Sequence, residues 1–196
     1  MLSDKEGEIL LVLFKDFTTW YNATSISKIV KITPRGSLKA LNKLVKSGLI
    51  TSKKFGKANQ YNLNFNNLSK KTIELLLLEE SEKKHRRWVY EFEKIEKTEI
   101  MILFGSVTRK NKDYRDVDLL LVIKEKNYKE IIDQISSKNK ILIKPVHPIF
   151  QTIEDLRKNI LKKDKVIIDA LKTGIVLKGQ KEIVEVIENV TSIKPY

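Results

Sequence analysis

The residues in this chain best suited by type and spacing to chemistry lie in 102–123, ILFGSVTRKNKDYRDVDLLLVI. An apolar run, Ile102–Phe104, breaks at Gly105-Ser106, and nine residues separate Ser106 from Asp116-Val117-Asp118. Leu119–Ile123 then runs on without a polar residue, the pattern of a buried strand. Side chains alternate faces along a strand, so Asp116 and Asp118 are expected to point the same way while Val117 points into the core. Two carboxylates held side by side repel each other, and burial sharpens the repulsion. A divalent cation relieves it. Mg²⁺, or Mn²⁺ in its place, suits oxygen ligands supplied by one or two carboxylates together with substrate phosphates. The Gly-Ser turn is expected to open a helix whose free N–H groups, with the Ser106 hydroxyl, hold phosphate oxygens. A metal grip at Asp116 and Asp118 and a phosphate grip at Gly105 and Ser106 together describe a site for a nucleoside triphosphate (NTP).

An apolar strand, Gly-Ser, a spacer of this length, and Asp-x-Asp ahead of a second apolar strand resembles the nucleotidyltransferase superfamily of DNA polymerase beta and kanamycin nucleotidyltransferase. Within it, the similarity is to the small minimal nucleotidyltransferase branch. The spacer of that branch usually carries a further Gly, and a Ser often precedes the first Asp; this chain has Arg109-Lys110 and Arg115 instead. The tail Ile167–Gly179 also resembles that branch's closing helix, short strand and glycine. The resemblance covers roughly residues 98–190. It implies an α/β domain with a mixed sheet that binds Mg–NTP and transfers NMP to a hydroxyl acceptor.

Catalytic members of the superfamily place a third acid on a neighbouring strand, as metal ligand and base. The strand expected here is Lys140–Pro148, which contains no Asp or Glu. Its inward positions are expected to offer Lys144, His147 and prolines. Some members joined to DNA-binding domains have a Pro-rich variant of this strand, which Val146-His147-Pro148-Ile149 resembles. His147 is a candidate catalytic base, since imidazole titrates near neutrality, with a packed structural histidine as the alternative.

At 196 residues the chain can hold one or two domains, and the pattern along it argues for two small ones. With no Cys, it has no disulfide framework and no Cys-based zinc site. No stretch approaches the roughly 20 apolar residues of a membrane span, and the amino terminus is too acidic for a signal peptide, so a cytoplasmic protein with no membrane partner is expected. The net charge of +13 is unevenly placed. Residues 1–65 carry 11 basic and 4 acidic side chains, and from Phe17 to Ile73 there is no Asp or Glu against 11 Lys or Arg. Soluble surfaces normally mix signs, so this third of the chain is expected to meet a polyanion.

The same region has an element pattern of its own. Ser3 with Glu6 is a capping-box pair ahead of Ile9, Leu10, Leu13, Phe14 and Phe17, which gives a helix over 4–17. Ser25 is the expected cap of a short second helix. Thr33-Pro34 starts a third, with Leu38, Leu41, Leu44 and Val45 on its apolar face and Gly48 as its stop. Leu49–Lys53 and Gln60–Leu63 flank a turn containing Gly56 and read as a β-hairpin. Three helices and a hairpin, with Gly48-Leu49-Ile50, Lys54, Gly56-Lys57 and Tyr61-Asn62-Leu63 at these places, resemble a winged helix domain. The third helix is expected to offer Arg35, Ser37, Lys39, Asn42, Lys43 and Lys46 to the major groove of double-stranded DNA. The hairpin tip, Lys53, Lys54 and Lys57, is expected to reach backbone phosphates.

Residues 66–97 are rich in helix formers and read as a connector of one long helix or two. Leu75–Leu78, four leucines in a row, are expected to pack on both sides, either between domains or in a homodimer. The expected architecture is thus α+β: a winged helix-turn-helix domain at 1–65, a helical connector at 66–97, and a nucleotidyltransferase-like domain at 98–196. The expected function is that of a DNA-binding protein with a Mg–NTP site that transfers NMP. The alternative is a transcriptional regulator, or an antitoxin-like protein, whose second domain binds nucleotide or a partner with little catalysis.

Overall fold

A computed structural model describes residues 2–109 and 114–193. The architecture is α+β, and the chain divides into two compact units. One contains the residues up to Leu76 and those from Thr191 on; the other is Leu77–Val190.

In the first unit, helices α1 (Asp4–Lys15), α2 (Ala23–Ile29) and α3 (Pro34–Lys46) precede an antiparallel hairpin of β1 (Ile50–Phe55) and β2 (Ala58–Leu63). Each helix starts where a side chain satisfies its free N–H groups. Ser3 and Glu6 form a full capping box on α1, and Thr33 caps α3 with Pro34 in its first turn. The cap of α2 is Asn22, not Ser25; Ser25 is its capping-box partner three residues on. An Asn side chain reaches the third helical N–H as well as Ser does, so the two positions compete and Asn22 wins. Helix α3 ends at Gly48, whose φ of +72° is a left-handed conformation. There the Gly48 and Leu49 N–H groups donate back to the Val45 and Leu44 carbonyls.

Ile9, Leu10, Leu13 and Phe14 of α1, Ile26 of α2, Leu41 and Leu44 of α3, and Ile50 and Tyr61 of the hairpin are buried together as the core of this unit. A single backbone bridge from Tyr21 to Tyr61 adds a rung beside the hairpin. Two expectations for α3 fail. Leu38 is exposed, and Ser37 is fully buried. Ser37 lies on the side of α3 that faces the core, so it is not available to a groove.

Residues 67–92 form two helices, α4 (Asn67–Lys84) and α5 (Arg86–Phe92), separated at His85, whose φ of −131° and ψ of 23° depart from helical values. Within the single chain, Leu77 of the leucine run is buried and Leu75 and Leu78 are exposed.

In the second unit, β3 (Thr98–Phe104), β4 (Val117–Ile123), β5 (Val146–Gln151) and β6 (Ile175–Lys178) form a mixed sheet in the order β5-β4-β3-β6. The β4–β5 pair is parallel and the others are antiparallel. Helix α6 (Tyr128–Asn139) makes the crossover a parallel pair requires. Helices α7 (Ile153–Leu161), α8 (Lys165–Thr173) and α9 (Gln180–Ile193) complete the described residues. Both faces of the sheet are buried. Leu119, Leu121 and Ile123 of β4 join Trp88, Phe92, Ile131 and Ile135 on one face, and the alternate residues Leu120 and Val122 are buried on the other. That explains the uninterrupted apolar run in β4.

The strand expected at Lys140–Pro148 begins only at Val146. Ile141 and Ile143 are 82% and 95% exposed. The apolar run Ile141–Ile143 between Lys140 and Lys144 imitates a strand, but the backbone from Lys140 to Pro145 is an irregular link. Asn139 ends it: the side chain of Asn139 accepts from the Val146 N–H at 2.7 Å and donates to the Val146 carbonyl at 3.2 Å. Among the described residues, no helix is long and apolar enough to cross a membrane.

The Ser37 hydroxyl is buried with no hydrogen-bond partner. An unsatisfied buried polar group costs about 1–3 kcal/mol, so Ser37→Ala should stabilise the protein by roughly 1 kcal/mol, read as a raised midpoint in urea unfolding. A groove-facing Ser37 would instead leave stability unchanged and alter DNA affinity.

Candidate functional site

The two halves of the Gly-Ser and Asp-x-Asp pattern meet at one end of the sheet. β3 and β4 pair so that Phe104 lies opposite Asp118, and β4 and β5 pair so that Asp118 lies opposite His147. The last residue of β3 thus delivers Gly105 to the first residues of β4. Val117 is anchored inward, and its N–H donates to the Pro145 carbonyl at 2.9 Å, which fixes where β4 and β5 begin. Asp116 precedes β4 by one residue, and alternation turns both carboxylates to the face opposite Val117.

Gly105 has a φ of +76°, and a Cβ built on it would lie 2.2 Å from a carboxylate oxygen of Asp118. Any other residue would be strained there and would collide with that carboxylate, so the glycine is what lets the turn and the acid come together. The turn is not the α-helix expected. Gly105–Thr108 is a single 3₁₀ turn, closed by the Thr108 hydroxyl donating to the Gly105 carbonyl at 2.9 Å and by the Arg109 N–H donating to the Ser106 carbonyl at 3.1 Å. Of the spacer, Lys110 lies outside the described residues, and Arg115 is exposed.

Asp116, Asp118 and His147 each offer a ligand atom within 4.8 Å of the others. His147 Nδ1 lies 3.3 Å from Asp116 Oδ2, with the two side chains 60% and 32% exposed. Burial and the neighbouring Asp116 charge raise the Asp118 pKa above its ordinary value, and His147 opposes them only partly. Among the described residues no further Asp, Glu or His joins this group. His147 stands on β5 in register with Asp118. Sequence reasoning named His147 without its partner Asp116; only the β4–β5 register reveals that contact. Lys144 is not an inward strand residue: it precedes β5, with its Nζ 5.9 Å from the centroid of the Tyr114 ring.

In the first unit, Arg35, Lys39, Asn42 and Lys46 are all exposed on α3. At about 100° per residue these positions fall within a stripe roughly 60° wide. Lys43 is exposed too, but its ammonium pairs with the Glu6 carboxylate at 2.9 Å. Glu6 is buried, which alone would raise its pKa; Lys43 and the Ser3 N–H more than offset that and hold it below the ordinary value. Lys43 thus has a structural partner that the α3 stripe lacks. Lys53, Lys54 and Lys57 are exposed on the hairpin beside exposed Phe55, around a Gly56 with a φ of +57°.

Comparison of the chain with protein-family models, with curated proteins and with solved structures finds no match.

The raised pKa of Asp118 carries a sign. An acid that holds its proton more tightly in the folded state favours folding when protonated; that contribution is complete below its ordinary value of 3.8 and is lost as pH rises through the raised folded value. Ionised Asp118 therefore costs stability near neutrality. Asp118→Asn should melt at a higher temperature than the parent near pH 7, with the gap closing by about pH 3. A variant less stable at neutral pH would mean that the carboxylate is favourably paired in the fold.

Proposed function

We propose that this chain is a DNA-binding protein whose second unit holds a metal–nucleoside triphosphate in the manner of a minimal nucleotidyltransferase, with transfer of NMP to a hydroxyl as the associated reaction. The observation that carries this reading is the contact of the Gly105 turn with Asp118, beside Asp116. The donor set fits a divalent cation: two carboxylates share a face, and both burial and the Asp116 charge, which raise the Asp118 pKa, would be offset by a bound cation. Asp116 and Asp118 would hold the ion, which when bound would offset the negative charge of the triphosphate. The Ser106 hydroxyl, on the turn against Asp118, would meet a phosphate oxygen. Gly105 lets the turn that carries Ser106 lie against the Asp118 carboxylate.

The first unit supports the DNA part through its element order, its exposed α3 stripe and its basic hairpin tip, which correspond to a winged helix domain. Arg35, Lys39, Asn42 and Lys46 would face the major groove, and Lys53, Lys54 and Lys57 would meet phosphates. Ser37 and Lys43 drop out of the base-reading set, the one buried and the other paired with Glu6.

A second reading is favoured by one observation, the imidazole of His147 where a third carboxylate would stand. In that reading the chain is a regulator that binds DNA and nucleotide with little or no transfer. Incubation with labelled NTPs and candidate hydroxyl acceptors separates the two: label transferred by the parent and not by Asp118→Ala supports the enzyme, and bound but untransferred nucleotide supports the regulator.

Calorimetry with ATP should show binding that requires Mg²⁺ or Mn²⁺ and is abolished by Asp118→Ala. Equal, metal-independent binding in parent and variant would remove the site assignment.

DNA affinity should fall with salt on a log–log slope of about −0.9 per phosphate contacted, and replacing Lys53, Lys54 and Lys57 by Ala should flatten that slope by roughly 0.9 for each lysine that meets a phosphate. Replacing Arg35 or Lys39 should instead change the preference among sequences. Salt-insensitive affinity would point to a protein partner for this unit.

A further inference from the structure

We infer that Asp116, Asp118 and His147 together form a mixed carboxylate–imidazole site that binds a first-row transition ion such as Zn²⁺ or Co²⁺ in clear preference to Mg²⁺. This deepens the proposed function and rests on its reading of the two aspartates as metal ligands. The inference starts from the donor types. Mg²⁺ takes oxygen and dehydrates reluctantly, whereas imidazole suits Zn²⁺, Co²⁺ and their neighbours. Two carboxylates alone suit Mg²⁺; an imidazole added to them changes which ion the set prefers.

The geometry places that imidazole within reach of the same ion. His147 is in register with Asp118 on the adjacent parallel strand, so both project from the same face. Its Nδ1 lies 3.3 Å from Asp116 Oδ2. Two ligand atoms about 2.1 Å from a tetrahedral zinc lie roughly 3.4 Å apart, so this pair already has the spacing of neighbouring ligands on one ion. The whole set spans no more than 4.8 Å, and the half-open side chains of Asp116 and His147 can close the remainder by small rotations. The strand frame behind them does not need to move, because Val117 and Val146 are buried on the opposite face. Three protein ligands leave a further position open to water or a phosphate oxygen.

The test uses the full, tag-free chain and metal alone. Zn²⁺, Co²⁺ and Mg²⁺ are titrated into the parent, His147→Asn and Asp118→Asn by calorimetry. The parent should bind one Zn²⁺ per chain. His147→Asn should lower the Zn²⁺ affinity by about 10–100-fold or more, since even outer-sphere partners of metal ligands are worth that much, and should lower the Mg²⁺ affinity far less. Zn²⁺ affinity retained in His147→Asn overturns the inference.

A second readout needs no variant to bind metal. The chain has 2 His residues, so its imidazole proton spectrum holds one pair of resonances from each. One equivalent of Zn²⁺ should shift the His147 resonances, identified by their loss in His147→Asn, and leave those of His85 in place. Unmoved His147 resonances at saturating Zn²⁺ overturn the inference as well. If His147→Asn keeps its Zn²⁺ affinity while Asp118→Asn loses Mg²⁺–ATP, only the inference fails. If Asp118→Asn binds both metal and Mg²⁺–ATP as the parent does, the underlying reading fails with it.

Discussion

The second unit is organised around one close approach, that of the Asp118 carboxylate to the α-carbon of Gly105. The two residues belong to different strands, and only the β3–β4 register that sets Phe104 opposite Asp118 brings them together. That register is held by burial. Val117, Leu119 and Leu121 fill one side of the sheet and Leu120 and Val122 the other, and a one-residue slip of β4 would turn an aspartate into the core. The apolar run that follows Asp-x-Asp is therefore the device that aims the aspartates. Gly105 is fixed by the same geometry, because a side chain there would strike the acid.

Asp118 is held against Asp116 in a partly buried place, and its pKa rises in consequence. A fold that half-buries a carboxylate beside another gives up stability at neutral pH, and a cation bound between the two would return it. The first unit manages charge differently. Apart from Glu74, which pairs with Lys71 on α4, the acids among residues 1–76 sit on and just after α1, where Glu6 ties α1 to α3 through Lys43 and Asp16 accepts from the hydroxyls of Thr18, Thr19 and Tyr21. No Asp or Glu lies on α3 or the hairpin, so the outer side of α3 and the hairpin tip carry only positive charge.

Much of this was legible in the sequence wherever a local rule decides the outcome. Ser3 with Glu6, Thr33 with Pro34 and Gly48 mark helix ends through caps that need only near neighbours. Gly105-Ser106 and Asp116, Asp118 were legible as a pair because each follows or precedes an apolar run. What was not legible depends on distant contacts. Nothing local tells that Ser37 faces the core while Leu38 faces out, since their helix turns by the way it lies on α1 and the hairpin. Ile141, Leu142 and Ile143 form an apolar run as strand residues do, yet Asn139 holds the start of β5 at Val146. The His147–Asp116 contact follows from a parallel pairing across a helical crossover, which no spacing in the chain encodes.

The central claim is that Gly105, Ser106, Asp116 and Asp118 hold one metal–triphosphate complex. The most direct measurement is the anomalous scattering of Mn²⁺ in crystals grown with a non-hydrolysable triphosphate. The account predicts a manganese peak bound by Asp116 and Asp118, with a phosphate oxygen of the same ligand on the Gly105–Ser106 turn. A manganese peak elsewhere, or a triphosphate bound away from that turn with both aspartates facing solvent, would contradict it.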